Sequence, residues 1–302
     1  MLSRREFVDL GFAATAWWLA GPMIQAPPIA QASIPSTGEK IARIGLGTYR
    51  SFDVGTDPAA RAPHLETLKV FAAGGGQLVD SSPMYGPAEG VVGDLVAQAG
   101  LRDRLFIATK VWTTGREAGI EQMNASAAKL KTPKIDLMQI HNLMDWQTHL
   151  ATLREWKEQG KIRYLGITHF QAGAIDAVAD IVRREQLDFV QMNLSLDEPQ
   201  AASMLLGLCA DRGVAFIANR PFGAGQSLDR VRGKALPPWA AEFGIQSWAQ
   251  LLLKWVLSYP EVTCAIPATR NPRHMEDNLG AARGAMLDQA ARDRITRLWR
   301  ES

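Results

Sequence analysis

From about residue 40 onward, short apolar runs rich in β-branched residues alternate with longer stretches whose apolar positions recur three and four apart. The first pattern signals strands and the second amphipathic helices. Strands are predicted over Ala42–Thr48, Gln77–Ser82, Leu105–Val111, Ile135–His141, Ile162–Thr168, Phe189–Leu194, Ala215–Asn219 and Thr263–Pro267. The intervening helices are predicted over His64–Ala73, Glu89–Ala99, Gly119–Lys131, Trp146–Gln159, Ala172–Glu185, Gln200–Asp211, Ile245–Ser258 and Pro272–Arg283, with Leu287–Trp299 closing the chain. Gly74-Gly75-Gly76 is a strong stop after the first helix.

Eight strands, each followed by a helix, describe an α/β fold with a parallel sheet. An open doubly wound sheet would carry a Gly-x-Gly-x-x-Gly turn between an early strand and its helix. Gly45-Leu46-Gly47 is the nearest match, and it opens no helix. The pattern therefore predicts a single (β/α)8 TIM barrel with no internal repeat and no second domain. A chain of 302 residues leaves room for an appendage, since such a barrel takes roughly 250.

The N-terminus reads as that appendage. Ser3-Arg4-Arg5-Glu6-Phe7-Val8 resembles a twin-arginine export signal, and the apolar run from Leu10 to Ile24 is short and broken by Gly21 and Pro22. Ala30-Gln31-Ala32 supplies small residues at the two positions a signal peptidase reads. Residues 1–32 are accordingly expected to be a signal peptide cut after Ala32, and residues 33–302 the barrel. The expected destination is the periplasm, with the twin-arginine machinery as a passing partner and no stable membrane insertion after cleavage.

Composition narrows the function classes. Lys and Arg total 33 against 31 Asp and Glu, a formal charge of +2, with no basic run outside the N-terminus. Nucleic acid is therefore not an expected partner, because its binding needs clustered cations to displace counterions. Cys209 and Cys264 are too few for a disulfide framework or a cysteine zinc site, and the five histidines lack paired ligand spacing, so no metal is expected.

In a barrel the chemistry lies at the C-terminal ends of the strands. The second strand ends at Asp80-Ser81-Ser82 and runs into Tyr85; the third ends near Lys110 and the fourth at His141. An acid, a phenol, an amine and an imidazole on adjacent strand ends suit proton and hydride transfer. Lys110 is expected to lower the Tyr85 phenol, with Asp80 holding the ammonium, while His141 orients a carbonyl and Tyr85 supplies the proton. No side chain donates hydride, so a nicotinamide is implied.

Taken together, these segments resemble the aldo-keto reductases from about Ile41 to the C-terminus. The resemblance is carried by Gly45-Leu46-Gly47-Thr48-Tyr49, Val79-Asp80-Ser81-Ser82 with Tyr85-Gly86, Ala108-Thr109-Lys110, Ile135 through His141, Gly160-Lys161-Ile162-Arg163, and Ile266-Pro267 with Asn278. It implies a tetrad of Asp80, Tyr85, Lys110 and His141, NADP(H) as cofactor, and reduction of an aldehyde or ketone to an alcohol. It also implies cofactor contacts at Gly47, Thr48, Thr168, His169, Gln191 (on the nicotinamide carboxamide) and Asn219. Pro221, Phe222 and Gly223 fall in the pyrophosphate loop, and Thr269, Arg270, His274 and Asn278 at the adenosine end. Arg270 is expected on the 2′-phosphate, which suits a guanidinium.

Two positions depart from the family pattern. His169 replaces an Asn, and Asn219 stands where an aromatic or bulky residue usually stacks on the nicotinamide. Trp112 and Met144 are expected to line the pocket for a small-molecule carbonyl or alcohol. The alternative is a nucleotide-sensing or partner-binding subunit that keeps the barrel and turns over little.

Overall fold

The computed structural model describes residues 27–301. The twin-arginine motif and the apolar run behind it lie outside these residues. Eight parallel strands stand side by side in chain order: β3 (Leu46–Gly47), β4 (Leu78–Asp80), β5 (Phe106–Val111), β6 (Ile135–His141), β7 (Ile162–Thr168), β8 (Phe189–Asn193), β9 (Ala215–Asn219) and β10 (Val262–Ala265). Bridges from Ile44 to Ala265 and from Gly47 to Ala268 join first strand to last and close the ring. Closure needs residues without a side chain. A Cβ on Gly47 would stand 2.9 Å from the Ile266 carbonyl, and one on Gly45 2.8 Å from that of Leu78.

The strands read as near-continuous apolar runs because both of their faces are covered. Outside them pack α1 (Pro58–Ala73), α2 (Ala88–Ala99), α3 (Arg116–Lys129), α4 (Trp146–Glu158), α5 (Ile175–Arg184), α6 (Gln200–Met204), α7 (Leu206–Asp211), α8 (Gln226–Arg230), α9 (Trp248–Leu257), α10 (Pro272–Gly280) and α11 (Gln289–Glu301). One core lies between strands and helices; a second fills the barrel with Leu78, Phe106, Leu137, Tyr164, Phe189, Ile217 and Cys264. Phe189 sits so close to β7 that a Cβ on Gly166 would meet its carbonyl at 2.6 Å.

Three elements differ from the sequence reading. Helix α1 starts at Pro58 rather than His64: the Asp57 carboxylate caps it by accepting from the Ala59 and Ala60 amides, Pro58 sits in its first turn, and Pro63 is carried inside it. The helix expected over 200–211 is two, parted at Leu205. The third concerns the chain start.

Residues 30–32, placed outside the fold by the sequence reading, are part of it. β1 (Gln31–Ser33) pairs antiparallel with β2 (Lys40–Ala42), Ala32 opposite Ile41. The Ala30 amide donates to the Ala282 carbonyl at 2.7 Å, and its own carbonyl accepts from the Arg43 amide at 2.9 Å. Ile34 and Ile41 of this hairpin are buried in the barrel's inner core and plug its lower end. The cut expected after Ala32 therefore falls inside a paired strand, a contact made by backbone groups that leaves no side-chain periodicity to read.

Candidate active site

Toward the C-terminal ends of the strands the barrel interior turns from apolar to polar. Asp80 closes β4, Lys110 lies one residue from the end of β5, and His141 closes β6. Lys110 is fully buried and Asp80 is 2% exposed. Lys110 Nζ donates to Asp80 Oδ2 at 2.7 Å and to the Ser81 carbonyl at 2.7 Å. It also stands 5.0 Å from the centre of the Tyr85 ring. Burial acts to lower the Lys110 ammonium, but the facing Asp80 and Tyr85 outweigh it and hold the pKa above its ordinary value.

Tyr85 departs from expectation. Burial raises its phenol above the usual value, and the Lys110 charge offsets that only in part. The group thus remains a protonated donor, where the sequence reading expects a lowered phenol.

His141 meets Tyr85 edge to face, ring centres 5.9 Å apart. Burial first, then the charge of Lys110, holds its pKa down at about 2, so the imidazole stays neutral. The loop behind it takes left-handed backbone at Asn142, Leu143 and Asp145, with φ of 54°, 56° and 45°. Such strain at three side-chain-bearing residues persists only where surroundings impose it. Here the Asn142 amide donates to the Thr168 carbonyl at 2.8 Å, and the Asp145 carboxylate accepts from the Gly115 amide at 2.8 Å.

Beneath the mouth lies a buried polar layer in which Gln139 and Gln191 both donate to Asp80 Oδ1, at 3.1 and 2.9 Å. Gln191 Oε1 accepts from Thr168 at 3.0 Å and from Asn219 at 3.4 Å. Asn219 also donates to the His169 carbonyl at 3.1 Å, and its Oδ1 is buried with no partner among the described residues. His169 stacks on Phe170, ring centres 5.7 Å apart, and burial lowers its pKa. Thr48 is buried and donates to the Asp80 carbonyl at 2.9 Å, so it braces the strand end from below; Gly47 serves the barrel closure.

The remaining predicted residues fall in two groups. Pro221, Phe222 and Gly223 follow β9, where Gly223 takes φ +55° and its amide donates to the Arg220 carbonyl. Thr269, Arg270, His274 and Asn278 follow β10, the neighbour of β9: Arg270 and His274 are exposed, Asn278 is buried, and Thr269 accepts from the Asn271 amide. Trp112 is 37% exposed, its ring centre 6.4 Å from that of His141, and the Gln122 amide clamps its backbone at both N–H and carbonyl. Met144 is half-buried in the loop behind His141.

Sequence reasoning missed four residues of this mouth. Gln139 precedes His141 by two positions in β6 and so faces the same interior, a period-two signal that was available. Ser82, Phe170 and Arg220 sit in loops, where no period applies; the Arg220 guanidinium lies 5.6 Å from the Phe170 ring centre. A groove of about 900 Å³ at the opposite end of the barrel is lined by Arg154, Lys157, Glu185 and Asp188. Those charges are paired with one another, at 2.7 Å for Arg154–Glu185 and for Lys157–Asp188.

The sequence profile of the Aldo/keto reductase family matches residues 43–300. The chain belongs to that family. Among its relatives, a methylglyoxal reductase (YeaE) of Escherichia coli is 29% identical over 261 residues, covering 82% of this chain and 90% of the relative. A glyoxal reductase of Bacillus subtilis is 27% identical over 204 residues, covering 66% of this chain and 71% of the relative. Among solved structures, an aldo/keto reductase from Klebsiella pneumoniae, in complex with NADP and acetate, superposes with a TM-score of 0.74 at 25% identity. That match covers 87% of this chain and 93% of the other. The (β/α)8 barrel of this aldo/keto reductase is thus that of its relatives.

Proposed function

We propose that this aldo/keto reductase reduces a small aldehyde or ketone with NADPH, Tyr85 donating the proton and His141 orienting the carbonyl. The observation that carries the reading is the grouping of a protonated, partly buried phenol, a buried Lys110–Asp80 pair and a neutral imidazole at one barrel mouth. A bound nicotinamide supplies the hydride that no side chain can. The residues present fit such a group. Asn219 Oδ1 is a buried acceptor with no partner among the described residues, suited to a carboxamide N–H, and Arg270 offers an exposed guanidinium beyond β10 for a phosphate. Both ends of the Gln191 amide are engaged by protein groups, so Asn219 is the freer amide for that contact.

Tyr49, Met84 and Trp112 are large apolar residues exposed around the mouth, which favours a substrate with little polar surface beyond its carbonyl. The names of the relatives make methylglyoxal and glyoxal the first carbonyls to test. Titrating the protein with NADPH, with NADH as comparison, and then following NADPH consumption on those carbonyls tests the reading. Selective NADPH binding with turnover supports it. Binding without turnover on a broad carbonyl panel favours a non-catalytic nucleotide-binding subunit.

We further propose that the chain is exported through the twin-arginine route to the periplasm. The motif at Ser3–Val8 and the apolar run behind it support this. Cell fractionation tests it: protein confined to the cytosol would contradict it.

A further inference from the structure

Ser82 Oγ lies 3.0 Å from His141 Nδ1, with the serine fully buried and the histidine 5% exposed. A serine hydroxyl has one proton to give and lone pairs to accept with. The Met84 amide already donates to Ser82 Oγ at 3.4 Å. Of the two partners of that hydroxyl among the described residues, only His141 Nδ1 can accept its proton. A neutral imidazole in turn carries hydrogen on one nitrogen alone, and its partner decides which.

We propose that Ser82 is a positioning residue that fixes the tautomer of His141, donating to Nδ1 so that the ring hydrogen resides on Nε2. This rests on reading the mouth as a carbonyl-reducing site. With hydrogen on Nε2, the nitrogen left to the substrate is a donor, able to polarise a carbonyl oxygen beside the Tyr85 phenol. The opposite tautomer presents a lone pair to that oxygen and repels it. The neutrality of His141, held by burial and by Lys110, leaves the tautomer as the property to be set.

The placement follows from the chain. In the run Asp80-Ser81-Ser82, the Asp80 carboxylate and the Ser81 carbonyl accept from Lys110, and the Ser82 hydroxyl reaches His141. Three consecutive residues thus hold Lys110 and His141 beside Tyr85. The sequence reading placed Ser82 at the end of the second strand and in the motif Val79-Asp80-Ser81-Ser82, without a role of its own.

The test is the tautomer of His141, read in protein labelled with ¹⁵N at histidine and assigned by the signals lost in His141→Gln. The unsubstituted protein is expected to show hydrogen on Nε2. In Ser82→Ala the pure tautomer gives way to a mixture and kcat falls on the order of ten- to a hundredfold, while KM and NADPH affinity hold. Ser82→Cys, similar in size and a weaker donor, lies between the two. Hydrogen on Nδ1 in the unsubstituted protein would overturn the proposal, as would Ser82→Ala with the tautomer unchanged, whatever its rate. The tautomer is read without substrate, so this outcome stands apart from whether a carbonyl is turned over.

Discussion

Lys110 Nζ and Asp80 Oδ2 lie 2.7 Å apart with their side chains 0% and 3% exposed, an ion pair wholly inside the barrel. Asp80 accepts two further hydrogen bonds, from Gln139 and Gln191, so both of its carboxylate oxygens are held by protein groups. Breaking such a pair leaves an uncompensated charge in a low-dielectric interior. Lys110→Met is therefore expected to lower unfolding stability by about 3–5 kcal/mol, measured by urea denaturation. The double variant Asp80→Asn/Lys110→Met should recover part of the loss. Equal stabilities for the single and double variants would argue against the pair as the source.

The raised phenol of Tyr85 sets a direction for the pH profile. Reduction needs the protonated phenol, so its kcat should stay level through neutral pH and fall only above the usual tyrosine value of about 10. Alcohol oxidation needs the phenolate and should rise over that same upper range. His141, held near 2, contributes no step around neutrality. A reductive profile that falls between pH 6 and 8 would contradict this assignment, and steady-state rates across pH decide it.

The barrel was legible because its strands are apolar on both faces and its helices on one: Ile135–His141, Ile162–Thr168 and Ala215–Asn219 occupy the spans their patterns predict. Asp80, Lys110 and His141 were legible because they sit at strand ends. What escaped has a common physical character. The β1–β2 hairpin is held by backbone bonds at Ala30, by Ile34 and Ile41, and by Thr37 and Glu39 bonded to Tyr164 and Arg163, scattered contacts that form no periodic pattern. The sign of the Tyr85 shift depends on the balance of desolvation against the Lys110 charge, which needs burial as well as composition. Ser82 acts through one hydrogen bond from a loop.

Arg270 is exposed beyond β10, on the segment the family resemblance places at the adenosine end of the cofactor. If its guanidinium meets the 2′-phosphate, Arg270→Ala should weaken NADPH binding by about tenfold and leave NADH nearly unchanged. Fluorescence titration with both nucleotides measures the ratio. An unchanged preference would remove Arg270 from that role and direct attention to Arg273.

The chain start carries a separate prediction. A protein beginning at Ser33 loses Gln31 and Ala32 from β1, both Ala30 backbone bonds, and the packing of Ile29 against the core. Compared with one beginning at Pro27, it should be less stable by about 2 kcal/mol in urea denaturation. Equal stability would mean that this segment rests on the barrel without holding it.

In the proposed reaction Tyr85 delivers the proton in a nicotinamide-dependent carbonyl reduction. The most direct measurement compares the unsubstituted protein with Tyr85→Phe, following NADPH binding by tryptophan emission and NADPH consumption with methylglyoxal. Tyr85→Phe is expected to leave NADPH affinity unchanged and to lower turnover by about 10²- to 10⁴-fold. Turnover retained in Tyr85→Phe would contradict it.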